Sequence, residues 1–520
     1  MIEKISNVIT KISKEQKIAF FTTIVVGVLV HLYMITNKFP QHDDLNQLYA
    51  LMHRPESGRW FLAVPASWSG NMSIPFGGIL AIVYIAIGAM LVVEMLNIKS
   101  EICVALISAI MVTFPTVSCS MSYMNCVDAY YFAMLLCCIG VYLTSRKKRY
   151  LPFAVICFTL ALAIYQCYFA FAIVLIVLIH IGKTFSCQHR VKDVWLSGIK
   201  YILILICSII SYLGIMEFQK MSGLELGSYQ GANEMGLSIT GIKDAYLNSI
   251  NYYLMNSKEM HYSYLSVLFI IVWGVTIAGI IWLIYSQRKK GKVFAKVILI
   301  CFLLGMLPFA AGVVYMLDAK VHIVMIYSFI GFLILPIQIM DIISENKKDV
   351  KKEENKKVSK CFVWLAELMV IGTSFLTVFC YSIRANQYYL ALSMVYEQSY
   401  AYSVSLMSDI MELENYTEDA EILLTGQREV VWKEIAPWRA GEENLYTMTG
   451  LDKSYTNTYS YGEFLKYYLG MRNEITILHS QDDVEGVMDI VEWEKMNIYP
   501  NEESIVMDGD KIIIKMGELK

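Results

Sequence analysis

The chain has 520 residues, 56% hydrophobic and 17% charged, with mean hydropathy +0.49. Soluble globular chains run near about 45–50% apolar and about 25% charged, so these figures exclude a disordered chain, a fibrous repeat and an ordinary cytosolic enzyme, and point to a polytopic membrane protein. The formal charge of −3 is unevenly divided: Ser382 to Lys520 carry 25 acidic and 11 basic residues, a net of −14, which leaves +11 for the rest.

A membrane-spanning helix needs about 20 apolar residues. Eleven segments are expected to span: 18–36, 74–97, 101–118, 127–144, 150–164, 166–182, 197–216, 264–286, 293–309, 321–341 and 361–381. The first is too long, and lacks a small-residue cleavage site, for a cleaved signal peptide. Around Tyr165-Gln166 two readings stay open, a tight helical hairpin or one long irregular span. Basic residues concentrate on the cytoplasmic side of membrane proteins. Lys4 to Lys17, Arg146 to Arg149, His189 to Lys192, Arg288 to Lys290 and the lysines of 347–360 all fall on one side if there are eleven spans. The expected organisation is a cytoplasmic segment 1–17, a transmembrane domain 18–381 with a first outer loop 37–73, and an extracytoplasmic domain 382–520.

The tail has the composition of a small α/β domain. Tyr388 to Leu413 has apolar residues at helical spacing. Glu421–Leu424, Glu474–Leu478, Ser504–Met507 and Lys511–Lys515 read as strands, the last two joined at Asp508-Gly509, a common hairpin pair. The fold class is thus an α-helical polytopic membrane protein with a C-terminal α/β domain. All twelve cysteines lie between Cys103 and Cys380, mostly in apolar runs, and none has zinc-site spacing. They read as packed thiols rather than disulfides or metal ligands.

Polar residues inside or beside apolar runs mark function. The first outer loop is the densest: Gln41-His42-Asp43-Asp44-Leu45-Asn46, then Glu56-Ser57-Gly58-Arg59-Trp60. Adjacent carboxylates there suit a general base, or one of them caps a helix. Arg59 suits a phosphate, or anchors at the interface beside Trp60. Asn125, Asp128, Tyr165, Gln166, Asp318, Lys320 and His322 fall on the same side and point to one outward-facing cavity. Glu94 and Glu367 are single intramembrane acids, and His180 and Glu217 sit near span ends as structural or interfacial groups. No P-loop, GxGxxG after a strand, HExxH or GxSxG is present. An outer-face enzyme then needs a donor carried through the membrane on a lipid.

The order of Asp43-Asp44, Gly58-Arg59-Trp60, Pro75-Phe76, Ile164-Tyr165-Gln166-Cys167-Tyr168, Arg384-Ala385-Asn386-Gln387-Tyr388-Tyr389, Met496-Asn497-Ile498-Tyr499-Pro500 and the closing strand to Lys515 resembles the glucosyl transferase GtrII-like family. That resemblance implies a GT-C-type fold in a bacterial cell membrane and inverting transfer of a hexose, glucose by the family's name. The implied donor is a polyprenyl-phosphate sugar; the implied acceptor is a surface polysaccharide such as O-antigen. It implies that the essential acids are Asp43 and Asp44. Donor and phosphate contacts are expected among His42, Arg59, Asp128, Tyr165, Gln166, Lys320, His322 and Arg384. No cofactor, metal or nucleic acid is expected; membrane lipid, a flippase and a polyprenyl-phosphate glucosyltransferase are the expected partners. Trp432 and Trp438 of the tail would stack on acceptor sugars or serve as core aromatics. The rival readings are a flippase, which would line a path to both faces and favour internal symmetry, an envelope polysaccharide polymerase with arginine-rich outer loops, and a membrane acyltransferase with an intramembrane histidine.

Overall fold

A computed structural model describes residues 12–37, 39–46, 48, 53–70, 74–186, 189–224, 239–254, 263–288, 293–316, 321–350, 357–428 and 455–519. The chain divides into two compact units. Residues 1–38 and 49–386 make up the first, and residues 39–48 and 387–520 the second.

The first unit is helical. Helix α1 (Lys14–Thr36) opens with a capping box, in which the Ser13 hydroxyl accepts from Gln16 N at 3.1 Å and the Gln16 side chain accepts from Ser13 N at 3.0 Å. The short α2 (His42–Leu45) belongs to the second unit, and α3 (Ala63–Trp68) returns to the first. Helix α4 (Phe76–Leu96) is followed by α5 (Glu101–Thr113) and α6 (Pro115–Ser120). Proline lacks an N–H, so Pro115 ends one helix and starts the next. The backbone N–H groups that open α5 are met from far along the chain: Asp341 accepts from Lys99 N at 3.0 Å and Ser100 N at 2.7 Å. Helices α7 (Val127–Ser145), α8 (Leu151–Ile164), α9 (Tyr168–Phe185) and α10 (Val191–Met221) follow. After them come α11 (Ile239–Leu254), α12 (Ser263–Ser286), α13 (Val293–Gly312) and α14 (Gly331–Val350).

Ten helices among the described residues are long and apolar enough to cross a membrane, and the chain is a multi-pass membrane protein. The fifth expected span, 150–164, is the exception. It forms α8, whose fourteen residues rise only about 21 Å, short of a hydrocarbon core of about 30 Å. The structure nonetheless selects the hairpin at Tyr165-Gln166. Thr159 donates to Ser208 O and Gln166 to Tyr212 Oη, so α8 ascends with α10. Lys183 donates to Ser197 Oγ, so α9 runs against α10. Helices α8 and α9 are therefore antiparallel.

A second difference lies at the chain's end. The expected span 361–381 and the expected helix from Tyr388 are one element, α15 (Lys357–Met411), 55 residues long. No glycine or proline occurs between Gly372 and Met411, so nothing in the sequence breaks it. The boundary between the units falls inside this helix. Helix α11 lies between the expected spans 197–216 and 264–286, where no helix is expected.

The second unit carries a four-stranded sheet of β1 (Glu421–Thr425), β2 (Ile475–Leu478), β3 (Ile505–Asp508) and β4 (Lys511–Lys515), in the order β2-β1-β4-β3. β1 is parallel to both neighbours, and β3 and β4 form a hairpin with Asp508 opposite Lys511. Its turn needs a left-handed residue, and Gly509 supplies it at φ 62°. Helices α16 (Tyr461–Leu469), α17 (Gln481–Glu485) and α18 (Ile490–Lys495) complete the unit. Strand side chains alternate between faces. One face packs Ile422, Leu424, Ile512 and Ile514 against Phe464, Leu406 and Leu45; the other packs Leu423 and Ile513 against Trp493 and Val484. Leu45 thus ties the Phe39–Leu48 segment into this core, and burying such a side chain contributes about 1.5–3 kcal/mol.

Candidate functional site

In the first unit the site is built around a turn. Pro55–Ser57 is a short 3-10 turn, and Gly58 leaves it at φ 75°, a conformation glycine adopts without a Cβ penalty. Three hydrogen bonds fasten this turn. Phe61 N donates to Ala163 O at 3.0 Å, Gln166 Nε2 donates to Ser57 O at 3.2 Å, and Tyr212 Oη donates to Gly58 O at 3.1 Å. Gln166 Nε2 also donates to Tyr212 Oη at 3.1 Å, closing the network. The next residue, Arg59, lays its guanidinium over the Tyr165 ring at 4.7 Å. Tyr165 in turn stacks on Tyr130 with centroids 4.4 Å apart. Such a cation–ring contact is worth about 0.5–2 kcal/mol. Among the described residues, no hydrogen-bond partner meets the buried Arg59 Nε or Trp60 Nε1. An unanswered buried donor costs about 1–3 kcal/mol. A cation held on an aromatic face with a donor to spare suits a phosphate or a sugar oxygen.

Asp128 does not join this group. It stands two residues before Tyr130 on α7, about 200° around the helix. Its carboxylate is buried; Oδ1 accepts from Ala129 N at 2.9 Å, and among the described residues no hydrogen bond reaches Oδ2. Its face of α7 continues to Phe132, which meets Trp68 at 4.9 Å and Tyr84 at 5.4 Å. His322 is half-buried and opens a 3-10 turn, and the carbonyl of its neighbour Ile323 accepts from Thr116 Oγ1 at 2.6 Å. Arg384 is buried on α15. Asp318, Lys320, Trp432, Trp438 and the side chain of His42 lie outside the described residues.

Glu94, Glu367, Glu217 and one ring nitrogen of His180 have partners. Glu94 accepts from Gln16 Nε2 at 2.7 Å and from Arg146 at 2.6 Å. Glu367 accepts from the Ser344 hydroxyl, Glu217 pairs with Lys220, and His180 Nδ1 donates to Ile176 O at 2.7 Å.

The acidic turn of the second unit separates its two carboxylates. Asp44 is fully buried, and its Oδ2 accepts from Gln41 N at 3.0 Å, closing the first turn of α2. Gln41 returns the arrangement by accepting from Asp43 N at 2.9 Å. Leu45 anchors the turn in the core, and Asn46 donates to Tyr459 O at 3.3 Å. Asp43 is half-buried, and among the described residues no hydrogen bond to its carboxylate is present. Asp44 therefore caps the turn, and Asp43 leaves its carboxylate without a hydrogen bond among the described residues.

A family model described as glucosyl transferase GtrII matches residues 32–337, more than half of the chain. The chain belongs to the glucosyl transferase GtrII family. It is accordingly a glycosyltransferase with a multi-pass membrane body. No curated protein and no solved structure matches it. The matched segment of this GtrII chain includes Asp43, Asp44, Arg59, Asp128, Tyr165, Gln166, Lys320 and His322, whereas Arg384 and the tail motifs lie beyond it. Tyr130 and Tyr212 were missed by sequence reasoning. Each sits inside an apolar run where a tyrosine reads as ordinary span packing, and only the tertiary contacts distinguish them.

Proposed function

We propose that this GtrII-family protein moves a hexose, glucose by family, from a polyprenyl-phosphate carrier to a surface polysaccharide at the outer face of a bacterial cell membrane. Its N-terminus would then be cytoplasmic and its tail outside, the arrangement favoured by the basic clusters. The observation that carries the reading is Arg59, held on Tyr165 with an unanswered buried donor, in a chain whose family is one of glucosyltransferases.

The proposed step is an inverting displacement with GT-C-type logic. The acceptor hydroxyl oxygen attacks the anomeric carbon, and its proton passes to the Asp43 carboxylate. The bond from that carbon to the carrier phosphate breaks, and the phosphate leaves with the electron pair. Arg59 meets the charge that develops on it, so no nucleotide and no strong acid are required. Lys320, His322 and Arg384 are proposed as further cations for the phosphate, and Gln166 and Asp128 for sugar hydroxyls. The helical body would hold the prenyl chain.

The test is transfer from polyprenyl-phosphate glucose by the full-length protein carrying Asp43→Asn or Asp44→Asn, with folding checked by size exclusion. Asp43→Asn should lose about 10²–10⁴-fold. Asp44→Asn keeps an acceptor oxygen for Gln41 N and should retain most activity. Full activity in Asp43→Asn overturns the assignment of the base.

A further inference from the structure

We infer that Tyr212 is a positioning residue: its hydroxyl locks the Gly58 turn, and through that turn it aims Arg59 at the anionic group of the donor. The inference rests on the phosphate-binding role proposed above for Arg59.

Tyr212 lies on α10, about 150 residues along the chain from the turn it holds. Its single hydroxyl does two jobs. It donates to Gly58 O at 3.1 Å and accepts from Gln166 Nε2 at 3.1 Å. Gln166 spends its other amide hydrogen on Ser57 O at 3.2 Å. The carbonyls of two consecutive residues, Ser57 and Gly58, are therefore fixed immediately before Arg59. The fit leaves no slack: a Cβ at Gly58 would overlap the Tyr212 hydroxyl and approach Gln166 Nε2 to 3.1 Å. Arg59 itself gains direction from the Tyr165 ring, but a ring face permits sliding and rotation. The backbone lock supplies what the ring does not, a fixed origin for the side chain. A guanidinium recognises a phosphate by fork geometry, so its origin matters.

This role predicts coupling. Removing the Tyr212 hydroxyl should weaken binding of the anionic group only while Arg59 is present. The experiment measures binding of polyprenyl phosphate to the full-length protein in phosphatidylcholine nanodiscs, for Tyr212→Phe, Arg59→Gln and the double variant. Tyr212→Phe keeps the ring and removes both hydrogen bonds, and Gln166→Met provides a second break in the same lock. Both should raise the apparent Kd about 3- to 10-fold, the scale of one lost hydrogen bond. In the Arg59→Gln background, Tyr212→Phe should change Kd less than twofold. Equal weakening in both backgrounds would show that Tyr212 acts without Arg59 and would overturn the inference. So would an unchanged Kd in Tyr212→Phe and Gln166→Met while Arg59→Gln weakens binding. If Arg59→Gln itself leaves Kd unchanged, the phosphate role of Arg59 fails and the positioning role with it, a pattern distinct from the other two.

Discussion

The two units solve the problem of holding a polar group in different ways. In the membrane unit, Arg59 is fixed by partners that come from distant helices: the Tyr165 ring, the Gln166 amide and the Tyr212 hydroxyl. In the second unit, the acidic turn is fixed mostly from within, by Gln41 and Asp44 one turn apart, with Leu45 as its plug into the core. An apolar helical body has few polar partners nearby, so it must bring them from far along the chain. A loop beside an α/β core can cap itself locally and rely on burial for the rest. The membrane site should therefore be sensitive at remote positions, and the acidic turn at adjacent ones.

The largest expected break in this comparison is Arg59→Ala. It removes the charge, and transfer from polyprenyl-phosphate glucose should fall about 10²-fold or more, as when one preorganised donor to a developing charge is deleted. Activity above half of wild type would place the phosphate elsewhere. Next is Leu45→Ala. Truncating a fully buried leucine costs about 2–5 kcal/mol. Hydrogen exchange should speed up in β1, β4 and residues 41–46 together, while α8 to α10 stay protected. Acceleration confined to 41–46 would mean that the turn is not part of that core.

Gly58→Ala comes third. The left-handed φ and the overlap with Tyr212 should together exceed about 1 kcal/mol, and donor binding should weaken more than in Tyr212→Phe. A silent Gly58→Ala would show that the turn has room to relax. The smallest effect concerns Asp483, which caps α17 with Ser480. The Ser480 side chain, with the N–H groups of His479 and Ser480, holds its carboxyl below the usual carboxylate range. A depressed folded pKa stabilises above the unfolded value of about 3.9 and loses that contribution as pH falls through the folded one. Between pH 5 and pH 3, wild type should therefore show a slightly steeper loss of second-unit stability than Asp483→Asn, read by tail-domain circular dichroism. Identical slopes would show that Asp483 does not contribute to the pH dependence.

Much of the fold was legible because its signals are local. Apolar runs gave the membrane helices to within a few residues, and β-branched runs with Asp508-Gly509 gave the strands and the hairpin. The failures were of two kinds. The run 150–164 reads as a span because it is apolar throughout, although α8 has only fourteen residues. Apolarity does not show continuity either, so α15 was divided at a polar patch containing Arg384 and Asn386 that a helix tolerates. At the site, Arg59, Tyr165 and Gln166 were legible as polar or aromatic exceptions on one side, and the structure joins them. Asp128 shared that side but faces elsewhere on α7, because level along a helix does not fix angle around it. Tyr130 and Tyr212 carried no signal, since a tyrosine among isoleucines differs from its neighbours only in what its hydroxyl meets.

Donor competition separates a lipid-linked sugar donor from a nucleotide-linked one. The full-length protein in nanodiscs is supplied with glucose-labelled polyprenyl phosphate or with UDP-glucose, and release of polyprenyl phosphate or UDP is followed over time with a mixed surface-glycan acceptor. Release from the polyprenyl-phosphate donor is expected, abolished by Asp43→Asn, and none from UDP-glucose. Turnover of UDP-glucose with the polyprenyl-phosphate donor untouched would contradict the lipid-linked donor.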